Sequence, residues 1–159
     1  MIWLGIDPGL AIIGWAVLAG EEGAPHLVEY GIITTAKTLS TGERLAEIET
    51  DFIEIIREFK PQQVAMEMPF FSRQIKAAGG VLQALGVINL VCHREAQLNP
   101  FFLHQASWKA HLINGKATKA EVAEVLTQIF ELESLPIDDS VDAIGIAYAG
   151  FCGLRNQIY

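Results

Sequence analysis

The stretch from Leu4 to Leu18, LGIDPGLAIIGWAVL, constrains the fold more than any other feature of this sequence. It contains two apolar runs separated by Pro8-Gly9, a pair in which Pro fixes φ and Gly permits positive φ. The pattern predicts two core strands joined by a tight turn. Asp7 ends the first strand at a position where a sheet favours residues such as Val or Thr, so this carboxylate needs a reason other than packing.

The remaining segments alternate between strand and helix signals. Further strands are predicted at residues 26–34, 63–68 and 100–104, and helices at 41–60, at 72–98, after the capping box that begins at Thr118, and after Pro136. The element order βββαβαβαα predicts one α/β domain over residues 1–159. We expect a mixed five-stranded sheet whose first three strands are antiparallel, flanked by helices.

Composition excludes several classes of protein. Hydrophobic residues make up 51% of the chain and the mean hydropathy is +0.31, which excludes disorder for most of the length. No apolar run is long enough to span a bilayer, and the start lacks the basic region of a signal peptide. We therefore expect a cytoplasmic protein. Cys92 and Cys152 lie far apart in apolar settings, which predicts reduced cysteines in the core and no disulfide or metal pair.

The charge is unevenly distributed along the chain. The net charge is -8, yet residues 70–119 carry +5, while residues 1–69 carry -7 and residues 120–159 carry -6. The middle segment can therefore present a cationic surface to nucleic acid, although a solvated charged face would give the same pattern.

Four carboxylates occupy positions that packing alone does not favour. Asp7 and Glu67 end the first and fourth strands, and Asp139 and Asp142 lie three residues apart on one face of the last helix. Singly, Asp7 could accept hydrogen bonds in its turn and Asp139 could cap its helix. If the first and fourth strands are neighbours, however, the acids converge and need cations to offset their repulsion. Carboxylates favour Mg²⁺ or Mn²⁺, and two such ions can cleave a phosphodiester.

Five motifs in order carry a resemblance to a known family. GIDPG, GWAVL, VAMEMPFF, GKATKAEV and DDSVDAIGIA span the chain from Ile2 to about Ala149, and they resemble the RuvC family of Holliday junction resolvases, which have an RNase H-like fold. The resemblance implies a homodimeric endonuclease that makes paired symmetric nicks in four-way DNA junctions. It also implies two Mg²⁺ ions per active site, with Mn²⁺ as an alternative, and branch-migration proteins as further partners.

The resemblance also assigns residues to roles. The metal-binding acids are Asp7, Glu67, Asp139 and Asp142, with Asp7 and Glu67 expected to bridge the ions. Lys109 and Lys119 are expected beside the scissile phosphate, where an ammonium neutralises developing charge. The predicted DNA contacts are Phe70, Phe71, Arg73, Lys76, Lys109, Lys116 and Lys119, with Phe70 or Phe71 stacking on an unpaired base. Burial in the core is the alternative for the two phenylalanines, and Trp108 is expected to serve packing.

Two alternative functions, and the role of one apolar segment, remain open from the sequence. The same acids would serve another RNase H-like nuclease that acts on other branched DNA or on RNA. A junction-binding module without cleavage activity is a different class. The apolar segment from Val81 to Val91 is the expected dimer interface, but burial within the monomer would give the same pattern.

Overall fold

The computed structural model describes residues 1–21, 23–69 and 75–155, with the backbone alone described for residues 75–78. Its strands are β1 (Ile2–Asp7), β2 (Ile12–Glu21), β3 (Ala24–Thr34), β4 (Gln63–Glu67) and β5 (Phe101–Leu103). Its helices are α1 (Thr41–Phe59), α2 (Ile75–Ala96), α3 (Gln105–Leu112), α4 (Lys119–Ile129) and α5 (Asp139–Phe151). The predicted contacts Phe70, Phe71 and Arg73, and the side chain of Lys76, lie outside the described residues.

The five strands form one mixed sheet in the order β3-β2-β1-β4-β5. The meander of β1, β2 and β3 is antiparallel, whereas β4 runs parallel to both β1 and β5. The predicted fold class is confirmed, and the first and fourth strands are neighbours, which was the condition for the acids to converge. Because β1 and β4 are parallel, their carboxyl ends lie at the same edge of the sheet.

The helix count differs from the sequence prediction. A helix at Gln105–Leu112 precedes α4, so the order is βββαβαβααα. In this eight-residue helix Trp108 is the one fully buried side chain, so no apolar stripe of helical period marks it. Helix α2 begins at Ile75 and ends at Ala96, inside the predicted 72–98. No helix in the described part of the chain is long and apolar enough to cross a membrane.

Gly9 is required in the turn after β1 for a reason other than the predicted one. In the described chain, glycines with positive φ are Gly20, Gly23 and Gly153, so the expectation of positive φ at Gly9 was wrong. A Cβ at Gly9 would instead overlap the carbonyl oxygen of Ile12. The turn is closed too tightly for any side chain at this position.

The sheet separates two apolar layers. One packs α5 with α3 and α4 and includes Trp3, Ala65 and Trp108, and the other packs α1 and α2 and includes Leu4 and Met66. Because successive side chains in a strand point to opposite faces, Asp7 follows Trp3 and Gly5 to the α5 face. Glu67 follows Ala65 to that same face.

The two cysteines have different surroundings. Both are free thiols, as predicted. Cys92 packs in the layer of α1 and α2, where burial raises the pKa of its thiol to about 12. Cys152, which directly follows α5, is exposed, so the expectation of a core position was wrong for this residue.

Helix α5 lies unusually close to the sheet because two glycines face it. A Cβ at Gly5 would overlap the carbonyl oxygen of Ala143, and one at Gly14 would overlap the carbonyl oxygen of Asp139. The absence of side chains on β1 and β2 therefore lets the first turns of α5 contact the strand backbones. This contact fixes the height of the α5 acids above the strand ends.

Candidate active site

The ends of β1 and β4 place two of the predicted acids at one edge of the sheet. The parallel register pairs Ile6 with Met66, so Asp7 and Glu67 follow the last pair side by side. Both side chains are half-buried. The site is thus built on rigid strand ends, and the turn after Asp7 keeps that edge open.

The first turn of α5 supplies the other two acids. Asp138 caps the helix by accepting a hydrogen bond from the Ser140 backbone N–H at 2.9 Å. Asp139 and Asp142 then lie in the first turn, where the positive end of the helix dipole favours carboxylates. One carboxylate oxygen each from Asp7, Asp139 and Asp142 lies within 4.8 Å of the others. Residues far apart in sequence therefore form one acidic cluster.

Burial and mutual repulsion change the protonation of this cluster. Burial, followed by the charges of Glu67, Asp142 and Asp139, raises the pKa of Asp7 to about 8. Burial likewise raises the pKa of Glu67 above its ordinary value. In the absence of a cation, Asp7 therefore carries a proton at neutral pH, and a cation that binds must displace it.

The cluster has the chemistry of a hard-cation site. Asp142 is 6% exposed, and its Oδ1 atom is buried without a hydrogen-bond partner among the described residues. A buried carboxylate oxygen left unpaired is costly, and a bound cation would satisfy it. Oxygen ligands alone favour Mg²⁺ or Mn²⁺ over zinc. Asp7, Asp139 and Asp142 thus fit a divalent cation of this type.

Lys119 lies inside the acidic cluster. It is the first residue of α4, whose predicted capping box between Thr118 and Glu121 is present. Its Nζ atom lies 2.5 Å from Asp139 Oδ1 and 3.0 Å from Asp142 Oδ2. Although partial burial lowers it, the hydrogen bonds to both acids raise the pKa of Lys119 above its ordinary value. The ammonium therefore stays charged and offsets part of the carboxylate repulsion.

Glu67 is oriented by a neighbour that sequence reasoning assigned to packing. The indole N–H of Trp108 donates to Glu67 Oε2 at 2.8 Å, and Glu67 does not join the tight set formed by the three aspartates. Trp108 is fully buried, and a Cβ at Gly145 would lie 2.7 Å from its ring. Trp108 thus packs as expected and also positions a site acid. The sequence signal available for this was a tryptophan one residue before Lys109.

The predicted lysines Lys109 and Lys116 have different settings. Lys109 Nζ donates to the Ala117 carbonyl oxygen at 3.0 Å and lies 5.4 Å from the centroid of the Trp108 ring. Its positive charge lowers the pKa of Glu67, after the larger effects of burial and the Trp108 hydrogen bond. Lys116 is exposed. Lys109 and Lys119 therefore leave part of the predicted cationic segment beside the acids.

Comparison with known sequences identifies one family. The family profile described as crossover junction endodeoxyribonuclease RuvC matches residues 3–149. A crossover junction endodeoxyribonuclease RuvC from Synechocystis is 68% identical over 157 residues, covering 98% of this chain and 94% of that protein.

Comparison with solved structures gives the same relationship. The RuvC structure from Thermus thermophilus is 30% identical, superposes with a TM-score of 0.83, and is matched over 95% of this chain and 94% of that one. T. thermophilus RuvC in complex with a Holliday junction substrate also gives a TM-score of 0.83, at 29% identity, over 95% of this chain and 93% of that one.

Proposed function

The chain belongs to the RuvC family of crossover junction endodeoxyribonucleases, and from this membership we propose that it resolves four-way DNA junctions by paired symmetric nicks. The observation that carries the proposal is the cluster of Asp7, Asp139 and Asp142, in which a buried Asp142 oxygen has no hydrogen-bond partner among the described residues. The T. thermophilus relative bound to a Holliday junction supports the choice of substrate. We also propose that residues 1–159 form a single nuclease domain.

The proposed cofactor is Mg²⁺, two ions per site, held by the carboxylates of Asp7, Glu67, Asp139 and Asp142. Bound Mg²⁺ supplies an activated water and stabilises the departing oxygen in phosphodiester hydrolysis. Asp7 releases its proton to become a ligand, and Trp108 fixes one oxygen of Glu67 so that the other is free for metal. Lys119 within the cluster and Lys109 beside Glu67 supply positive charge for the scissile phosphate.

A site of this composition favours cleavage over passive binding. Three carboxylates gathered at one strand edge repel a phosphate backbone unless cations cover them. In a module that bound junctions without cutting them, this repulsion would only weaken DNA binding. We therefore place the non-cleaving alternative second, together with RNase H-like nucleases of other substrate preference.

The proposed homodimer finds support on α2. One face of this helix is buried in the monomer through Ala84, Ile88 and Val91, while Leu82 and Leu90 are 42% and 43% exposed. Burial within the monomer thus accounts for one face of the helix, and the exposed leucines support the proposed interface on the other. A second copy packed on the exposed face would give the two active sites that paired nicks require.

The test of the function compares two DNA substrates of equal sequence. In Mg²⁺ we expect nicks in two strands of a synthetic four-way junction, and none in a linear duplex, with all cleavage lost in excess chelator. Both nicks within the lifetime of one complex would report two sites. Equal cutting of junction and duplex would instead favour a less selective nuclease. Tight junction binding without cutting in Mg²⁺ or Mn²⁺ would favour the binding module.

Replacing Trp108 tests how Glu67 is held. Trp108→Phe keeps an aromatic ring but removes the N–H donor, so we expect the Mg²⁺ concentration for half-maximal cleavage to rise by roughly tenfold. Calorimetric titration of metal into the DNA-free protein should show the same weakening. The control is Trp3→Phe, since Trp3 is equally buried but lies roughly 13 Å back along β1 from Asp7. Equal metal affinity in the two variants would show that Trp108 only packs.

A further inference from the structure

A groove opens beside Asp139 of the acidic cluster. It has a volume of about 580 Å³ and is lined by three segments and by Asp139. The segments are the β1–β2 turn (residues 9–12), the α1 region with Lys37 and Arg44, and Gly80-Val81 of α2. The α2 wall approaches the turn closely, since a Cβ at Gly80 would lie 2.8 Å from the Leu10 side chain. The groove therefore continues from an acid of the proposed metal site.

The Arg44 guanidinium is held at this groove by the turn that follows Asp7. Its Nε–H donates to Thr35 Oγ1 at 2.8 Å, and the Thr35 hydroxyl donates to the Leu10 carbonyl oxygen at 2.6 Å. Thr35 is 7% exposed, and its backbone N–H bonds to the Ala11 carbonyl oxygen at 3.0 Å. A buried threonine thus ties Arg44 to the same turn that places Asp7. This fixes the spacing between the guanidinium and the acids.

The two cations of the groove retain capacity for an anion. Within the described part of the chain, neither Lys37 nor Arg44 forms an ion pair with a carboxylate. Lys37 is exposed and Arg44 is half-buried. Among the residues that the structure describes, Arg44 is engaged through its Nε donor alone, by a neutral hydroxyl, so its terminal nitrogens keep the fork geometry that suits a phosphate.

The apolar parts of the groove narrow the choice of occupant. Leu10, Ile12 and Val81 line it together with the cations, and Ile12 is 44% exposed although it begins a strand. A phosphodiester strand offers apolar sugar and base faces between its anionic groups. One phosphate of such a strand would lie at the acids once they hold cations. Another phosphate would lie at Lys37 and Arg44.

We propose that this groove binds the DNA strand beside the scissile phosphate, with Lys37 and Arg44 contacting a backbone phosphate outside the cleaved bond. The inference rests on the proposed function for the position of the scissile phosphate. Both residues lie in the acidic part of the chain, outside the cationic segment 70–119 that the sequence singled out. Contacts of this kind position the strand and carry no sequence preference.

The test measures the salt dependence of DNA binding in a background that does not cut. Removing one cation from a phosphate should reduce the slope of log affinity against log salt by about 1. We expect Lys37→Gln and Arg44→Gln, each combined with Asp7→Asn, to lower the slope by this amount and to weaken binding roughly 5- to 10-fold at low salt. Arg44→Lys should keep most of the slope because it keeps the charge.

The control is Lys60→Gln, which removes the same charge from the far end of α1, roughly 24 Å along the helix from Arg44. Slopes for Lys37→Gln and Arg44→Gln equal to that of Lys60→Gln would overturn the inference. Measuring a four-way junction and a linear duplex in parallel separates the proposed function from the inference about the groove. If the Asp7→Asn protein binds both DNAs equally, that result counts against junction selectivity. The salt slopes of Lys37→Gln and Arg44→Gln still test whether the groove binds a phosphate. If the Asp7→Asn protein binds neither DNA, both the proposed function and the inference about the groove are overturned.

Discussion

Asp7→Asn is expected to lower the rate of junction cleavage by roughly 10³-fold or more while junction binding is retained. The substitution keeps the shape of the side chain but removes a carboxylate oxygen from the tight cluster with Asp139 and Asp142. Because Asp7 is protonated at neutral pH when no cation is bound, the substitution changes little charge in chelator, so DNA affinity there should stay equal. Cleavage under single-turnover conditions and binding in chelator give the two readouts.

The same variant carries a stability signature. Because the pKa of Asp7 is raised to about 8 from 3.8, the folded chain binds this proton more tightly than the unfolded chain does. The ionisation of Asp7 therefore lowers the free energy of unfolding as pH rises from about 4 to about 8. Asparagine does not ionise, so Asp7→Asn should melt at a higher temperature than the parent at pH 8 in chelator. The difference should shrink toward pH 4.

The matched control for this variant is Asp51→Asn, since Asp51 is an exposed aspartate on α1. It makes the same chemical change far from the cluster and should leave both the cleavage rate and the melting temperature unchanged. Undiminished cleavage by Asp7→Asn would remove Asp7 from the catalytic site. A rate loss accompanied by loss of folding would point to a structural role.

Gly14→Ala should damage the fold and the site together. The added Cβ would overlap the backbone carbonyl of Asp139, and backbone cannot rotate out of the way as a side chain can. We expect a loss of about 3 kcal/mol in the free energy of unfolding, which is roughly 6–12 °C in melting temperature. Any outward shift of α5 moves Asp139 and Asp142, so cleavage should fall by roughly 10²-fold even at temperatures where the protein is folded.

The comparison variant is Gly42→Ala, because Gly42 lies in the first turn of α1 and an added Cβ there meets no atom within 4 Å. It should be neutral or slightly stabilising, since alanine favours a helix more than glycine does. Thermal melts and cleavage rates of both variants give the result. If Gly14→Ala proved as stable and active as Gly42→Ala, α5 would not depend on close contact with β2 for its position.

The period-two pattern of the strands and the helix caps were readable in the sequence. Asp7 follows an apolar strand, and Asp139 and Asp142 share one turn of a helix; these placements depend on neighbours within a few residues. The adjacency of β1 and β4, which the sequence left open, is present in the sheet. The family resemblance supplied the expected roles of Lys109 and Lys119, and it singled out the four acids as candidate metal ligands.

Other features depended on contacts between residues distant in sequence. The hydrogen bond from Trp108 to Glu67 spans 41 residues, and the ion pair of Lys119 with Asp139 spans 20. Helix α3 had no periodic signal of its own, because Trp108 is its one fully buried side chain. The ring of Trp108 lies in space that the missing Cβ of Gly145 leaves open. The groove that contains Arg44 likewise exists only where three segments meet.

The sequence by itself therefore determined most of the strands and helices, the mixed sheet and the set of candidate site acids, since local patterning and short motifs encode these. The tertiary structure decided how the acids are spaced, which neighbours hold them, and where an anion can lie beside them. The physical reason is the close approach of α5 to the sheet. Glycines on β1 and β2 allow it, but the helix that takes up the space follows about 125 residues later in the chain.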